Sequence, residues 1–151
     1  MILIDTNALI ILILGQIDSR LIDTHRRTSI YEEQDYYDLL SVIVKIENLI
    51  VLPNVWTEVD NLLNGFNGEQ KYLYITKITE TIKSTSEKYL NSLSGIEHDC
   101  FFDLGLTDSL LLNLAKECEL LITTDSSLSD YAIANGIKVF DIVKNRNSRL
   151  N

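Results

Sequence analysis

The sequence predicts an α/β fold built around a parallel sheet. Short apolar segments of strand length, at residues 1–4, 49–52, 120–123 and 138–140, alternate with longer segments whose apolar residues recur at helical spacing. The strand segments are continuous apolar runs without polar alternation, the pattern of strands covered on both faces. Polar residues follow two of them at once, Asp5-Thr6-Asn7 after the first and Thr124-Asp125 after the third. In open parallel sheets the edge beyond the carboxyl ends of the strands is where ligands bind, so these residues are the first candidates for function. No repeat or low-complexity segment interrupts the chain, and 151 residues are enough to close one core, so a single domain over 1–151 is expected.

Taken in order, residues 1–4 form a buried strand that runs into the Asp-Thr-Asn turn. Asn7 is placed to cap a helix over 8–14, with Gly15 as its stop. Residues 16–28 are irregular, carry His25-Arg26-Arg27, and read as a loop or short helices. The spacing of Leu39, Leu40, Ile43 and Ile46 predicts a helix within 31–48, leading to the second strand at 49–52. Pro53 ends that strand and Asn54 can cap a helix over 55–63, closed by Asn64 and Gly65. A long helix with a polar outer face follows over 69–93, then a loop over 95–105 and a helix over 107–118. Beyond the strand at 120–123, residues 127–135 predict a helix closed by Gly136, with Ser127 and Asp130 as a capping box, before the last strand at 138–140.

Hydrophobic residues at 46% and charged residues at 23% are ordinary globular usage and exclude disordered and fibrous classes. Cys100 and Cys118 have no metal-binding or disulfide-framework spacing and read as small core residues in a reducing compartment. The apolar start is broken by Asp5-Thr6-Asn7 and falls short of the roughly 18 apolar residues of a membrane span, so a cytoplasmic protein without membrane contact is expected. A net charge of -9 excludes binding to nucleic acid through a generally basic surface. Any such binding must use local cations. Arg26 and Arg27 are the first candidates for substrate contact and Lys144, Arg146 and Arg149 the second; the alternative is that both segments are solvated surface.

Four carboxylates are the candidates for chemistry, and each also has a structural alternative. Asp108 heads the stripe Leu111, Leu112, Ala115 on the apolar face of its helix, which aims it inward, where an unpaired carboxylate is costly. Its structural alternative is a first-turn acid or a cap shared with Thr107. Glu58 lies at one border of its helix's apolar face and Asp60 at the other, and spacing does not choose between them. Asp5 and Asp125 follow strands, where Asp can also simply turn the chain or cap the next helix. If these acids converge, their mutual repulsion calls for a hard divalent cation with oxygen ligands, Mg²⁺ or Mn²⁺.

The ordered set Asp5-Thr6-Asn7, Val55-Trp56-Thr57-Glu58-Val59, Gly105-Leu106-Thr107-Asp108-Ser109-Leu110 and Leu121-Ile122-Thr123-Thr124-Asp125 resembles the PIN-domain family along nearly the whole chain. The resemblance implies a three-layer α/β/α sandwich with a central parallel sheet. It further implies an acidic site of Asp5, Glu58, Asp108 and Asp125 that holds Mg²⁺ or Mn²⁺ and hydrolyses RNA. Asn7 and Thr124 match supporting positions, and Asp130 is either a support or a cap. An antitoxin protein and a homodimer are the partners implied; a nuclease acting on single-stranded DNA, or a non-catalytic binding module, is the alternative. Phosphatases and receiver domains also keep an aspartyl nucleophile after a strand of a parallel sheet, but those phosphatases carry D-x-D, whereas this chain has Asp5-Thr6-Asn7.

Overall fold

The computed structural model describes residues 1–151. In chain order the elements are β1 (Ile2–Ile4), α1 (Thr6–Ile17), α2 (Leu21–Thr24), α3 (Glu33–Ile43), β2 (Leu49–Val51), α4 (Pro53–Leu63), α5 (Gly68–Ser84) and β3 (Ser86–Glu87). They continue with α6 (Ser92–Ile96), α7 (Cys100–Leu104), α8 (Leu106–Ala115), β4 (Leu120–Thr123), α9 (Ser126–Ala134), β5 (Val139–Asp141) and α10 (Ile142–Arg149). The strands form one sheet in the order β3-β2-β1-β4-β5, and every neighbouring pair is parallel. One helical layer gathers around α1, which meets α2, α3, α4 and α5; another gathers around α8, which meets α6, α7 and α9. The architecture is the α/β/α sandwich that the sequence predicts.

The order of the sheet decides where a site can form. From β1 the chain moves outward to β2 and β3, then crosses back to place β4 on the other side of β1 and moves outward again to β5. The connections leaving β1 and β4 therefore diverge, and the crevice between them is the switch point at which open α/β sheets bind ligands. Asp5 follows β1 directly, and Asp125 follows β4 after Thr124.

A cluster of 35 buried hydrophobic residues fills the space between the layers. The stretch from Ala8 to Gly15 of α1 is buried on all sides, so this helix lies inside the protein rather than on its surface, as its continuous apolar sequence demands. Here the structure corrects the expected boundaries. Asp5, not Asn7, caps α1, and Gly15 does not end the helix but lies within it, because the ring of Tyr36 packs where a Cβ would stand.

Other departures have similar local causes. Pro53 opens α4 at its first turn, where a missing N–H costs nothing, so Asn54 is inside the helix rather than its cap. The long helix over 69–93 ends at Ser84, and the chain then adds the exposed two-residue edge strand β3. Two short helices, α6 and α7, occupy the expected loop over 95–105. Asp125 rather than Ser127 caps α9, so the expected Ser127–Asp130 box does not form. Cys100 is buried, while Cys118 is only partly so. No helix is long and apolar enough to cross a membrane.

The basic C-terminal segment is engaged within the chain rather than free for docking. Arg149 pairs with Asp35 at 2.8 Å and Asp38 at 2.6 Å in the first half of α3, and with its cap Glu32 at 3.4 Å. Arg146 donates to the carbonyl of Ile30, and Lys144 reaches Asp130. The helix α10 that follows β5 lies beyond the last element expected from sequence, the strand over 138–140.

Candidate active site

Asp5, Glu58, Asp108 and Asp125 line a single cavity of about 200 Å³ at the carboxyl edge of the sheet, together with Thr6, Asn7 and Leu62. Each acid arrives on a different element. Asp5 and Asp125 leave β1 and β4, Glu58 projects from the middle of α4, and Asp108 stands in the first turn of α8. The structure thereby resolves the choice left open on α4: Glu58 faces the cavity, whereas Asp60 accepts a hydrogen bond from the Tyr74 hydroxyl at 2.6 Å. A larger cleft, of about 500 Å³, lies beside the start of β4 among residues such as Lys116, Glu119 and Lys138. Its charges are mixed in sign, and no common chemistry converges there.

Three of the acids are held in place by donors from the chain. Asp5 is nearly fully buried and accepts from the Thr123 hydroxyl, from the Ala8 N–H at 2.9 Å and from the Thr124 N–H at 3.0 Å. Glu58 is gripped at both oxygens: Thr6 Oγ1 donates to Oε2 at 2.6 Å and Thr107 Oγ1 to Oε1 at 2.8 Å. Asp125 accepts from the Leu128 N–H at 2.9 Å, and its own N–H donates to Thr123 Oγ1 at 2.9 Å. Asp5 and Asp125 thus serve as helix caps and as cavity residues at once; the cap on α9 occupies only Oδ1 of Asp125.

Asp108 differs from the rest because no group in the chain donates a hydrogen bond to it. Burial and then the charges of Asp125, Asp5 and Glu58 push its carboxyl up to about 7. Burial likewise raises Asp5 to about 6 with a further increment from Asp125, against the opposing pull of its Thr123, Ala8 and Thr124 donors. The positive ends of α1, α8 and α9 all point at the cavity and offset part of this repulsion.

Among the expected supporting residues, Asn7 lines the cavity and Thr124 holds Asp5 through its backbone, while Asp130 is exposed and turned toward Lys144. Arg26 and Arg27 are exposed and lie outside the cavity lining. Three hydroxyls not expected among the site residues hold its acids: Thr6, Thr107, expected at most to share a cap with Asp108, and Thr123. Their signal was present in each case as a Thr adjoining a candidate acid or, for Thr123, as a polar residue ending an apolar strand.

The four carboxylates share a cavity, but no group of His, Cys, Asp or Glu side chains is already drawn together closely enough to hold a metal ion. The donor set nevertheless has the chemistry of a hard divalent cation site: every candidate ligand is an oxygen, Asp108 is uncommitted, and the second oxygen of Asp125 is free.

No protein-family model and no curated protein matches this chain.

The paired threonines make a specific expectation. Replacing either Thr6 or Thr107 by Val removes one charge-assisted hydrogen bond from Glu58 while keeping side-chain volume, at a cost of about 1 kcal/mol in a partly exposed setting. Urea unfolding should show a lower midpoint with an unchanged slope, and Thr6→Val/Thr107→Val should lose more than either single variant. A double variant as stable as wild type would mean that the two hydroxyls do not hold Glu58 in solution.

Proposed function

We propose that this protein is a metal-dependent nuclease that hydrolyses RNA, with Asp5, Glu58, Asp108 and Asp125 as the ligands of Mg²⁺ or Mn²⁺. The observation that carries the reading is the uncommitted, half-buried Asp108 carboxylate facing three other acids across one cavity. Such an arrangement is costly to fold without a cation, and perturbed acids in a cleft are the usual mark of a functional site. The PIN-domain resemblance of the four segments that supply these acids points the same way and suggests a toxin-type cytoplasmic enzyme, with an antitoxin protein or a second copy as partners.

Bound at these oxygens, a divalent ion supplies Lewis-acid activation of water and of the scissile phosphate. The chain's own task is positioning. Thr6 and Thr107 fix Glu58 from opposite sides, the Thr123 hydroxyl ties Asp5 to the backbone of Asp125, and the three helix ends supply fixed positive dipoles toward a phosphate. Attack by water on the phosphodiester leaves a 5′-phosphate and a 3′-hydroxyl and does not require a ribose 2′-hydroxyl.

The test is incubation of labelled single-stranded RNA and matching DNA with Mn²⁺, Mg²⁺ or EDTA, beside Asp108→Asn. Cleavage of RNA is expected with either metal, ceases in EDTA, and falls at least about 100-fold in the variant, the scale of losing one electrostatic contact to the reacting phosphate. A 2′,3′-cyclic phosphate product, or equal cleavage by the variant, would overturn the assignment.

A further inference from the structure

The cations expected to meet nucleic acid divide sharply in the folded chain. Of the five arginines, Arg20 is paired with Asp18, Arg146 with a backbone carbonyl and Arg149 with acids of α3. Arg26 and Arg27 alone have neither an acidic partner nor a hydrogen bond from their guanidinium groups to the chain, and both are exposed.

Contacts at both of its ends tie the segment that carries this pair to the surroundings of the carboxylate cavity. The 17-residue helix α5 leads into the starting end of β3, so it begins toward the opposite, carboxyl edge of the sheet. The turn joining α4 to α5 therefore lies toward that edge, and the segment joining α2 to α3 is tied to it by side-chain contacts. They meet there: the His25 ring packs against Phe66 with centroids 5.5 Å apart. Phe66 lies in the short turn that follows α4, four residues after Leu62, which lines the cavity. At the other end of the segment, Tyr31 is buried beside Thr124 and within the field of Asp5. The segment thus spans from the α4 side of the cavity to the β4 side. Thr28, whose buried hydroxyl donates to the Ile22 carbonyl at 2.8 Å, anchors it between.

We propose that His25, Arg26, Arg27 and Phe66 form a docking ledge for a single nucleic-acid strand, with the two guanidinium groups on backbone phosphates and the half-exposed ring pair against an unpaired base. Arginine beside an accessible aromatic surface is the combination by which proteins hold single strands, since every base offers a face to stack on and every nucleotide a phosphate. A duplex offers the phosphates but keeps its bases stacked inside. The ledge also answers the charge problem of an acidic chain: it sets the only uncommitted arginines next to the place where phosphate must approach. This inference rests on the nuclease reading and adds to it the strandedness of the substrate and the route by which it enters.

The experiment is fluorescence anisotropy with a labelled 12-nucleotide single-stranded RNA, the same DNA sequence and the matching duplex, in Mg²⁺, using Asp108→Asn protein to suppress cleavage. Adding Arg26→Ala and Arg27→Ala should weaken single-strand binding about tenfold or more. It should also reduce the log–log salt slope by about 1.4, the loss of two phosphate contacts at about 0.7 each. Phe66→Ala should weaken single-strand binding severalfold with the slope unchanged, and the duplex should bind more weakly than either single strand. Arginine variants that bind as their parent does, with the same slope, overturn the ledge. If the corresponding variants in the wild-type background still cut RNA at the wild-type rate, the nuclease reading stands without it. A parent that binds no single strand overturns the ledge as well, and absence of cleavage by wild type is what would overturn the nuclease reading itself.

Discussion

In EDTA at pH 8, Asp108→Asn is expected to melt about 4–8 °C above the unmodified protein, and at pH 4 the two should melt together. The sign follows from the direction of the shift. The folded-state carboxyl of Asp108 sits at about 7, well above the ordinary carboxylate value near 3.8. A group raised on folding favours the native state relatively more when protonated. The native state is therefore unpenalised below the unfolded pKa, near 4, and progressively loses stability as pH rises to about 7, beyond which the loss is complete. A shift of that size corresponds to ~4 kcal/mol at most, and the partial solvent exposure of Asp108 and its coupling to Asp5 reduce the expected gain to about 2 kcal/mol. For a chain of this length each kcal/mol moves the melting point by roughly 2–4 °C. Asp5 titrates in the overlapping window from about 4 to about 6, so the unmodified protein should show a broad decline in metal-free stability across mildly acidic to neutral pH. Divalent cation should reverse this decline: a ligand at 100 times its Kd stabilises by about 2.7 kcal/mol. The variant should lose most of that response. Differential scanning fluorimetry over pH 4–8, with and without Mn²⁺, checks both halves. An Asp108→Asn protein that melts below wild type at every pH would mean that the carboxylate is a structural acid with its own partner, and the case for a cation site would fall with it.

What the sequence disclosed, and what it withheld, follows the range of the interactions involved. The parallel sheet was legible because β1, β2 and β4 are buried on both faces and leave uninterrupted apolar runs. β3 was not, because Ser86 and Glu87 are exposed and pair only through their backbones with Ile50 and Val51, so no side-chain pattern records them. Gly15 looked like a helix stop because that is what an isolated glycine at the end of an apolar run usually does; its actual reason, the ring of Tyr36, lies 21 positions away and on another helix. The same limit applied to the site. Asp108 could be singled out from its own helix, since a carboxylate heading an apolar stripe is a local contradiction. Glu58 and Asp60 could not be separated, because what distinguishes them is Thr6 and Thr107 on one side and Tyr74 on the other. Position after a strand identified Asp5 and Asp125, and their capping bonds show that the structural and functional readings of such residues do not compete: a carboxylate has more acceptor sites than a cap requires.

Arg149→Ala is expected to destabilise the protein by about 2–3 kcal/mol, an unusually large effect for the last residue of a helix. Arg149 is the only cation paired with Asp35, whose residue is completely buried at 0% exposure. Removing one member of a buried pair costs more than the pair contributes, about 3–5 kcal/mol in fully buried cases, because a desolvated charge is left alone. Here the cost is reduced in two ways. Asp35 keeps the Glu32 N–H as a donor at 2.9 Å, and the Arg149 side chain is 25% exposed, so water reaches the gap. Adding Asp35→Asn to Arg149→Ala should recover part of the loss, since the orphaned charge is then gone, whereas Arg149→Lys should recover less because an ammonium cannot present a planar fork to Asp35 and Asp38 together. The consequences reach the proposed docking ledge. Glu32 and Asp35 cap the start of α3, and Arg146 of the same terminal helix holds the carbonyl of Ile30, so α10 fixes the far end of the segment that carries Arg26 and Arg27. A loosened α10 should therefore lower single-strand affinity in proportion to the disorder it releases, without altering the metal response of the carboxylate cavity. Equilibrium unfolding of the three variants, read beside their anisotropy titrations, separates the two effects; a stable Arg149→Ala protein would show that the C-terminal clamp is surface ornament and that the segment holds its place through Thr28 and Tyr31 alone.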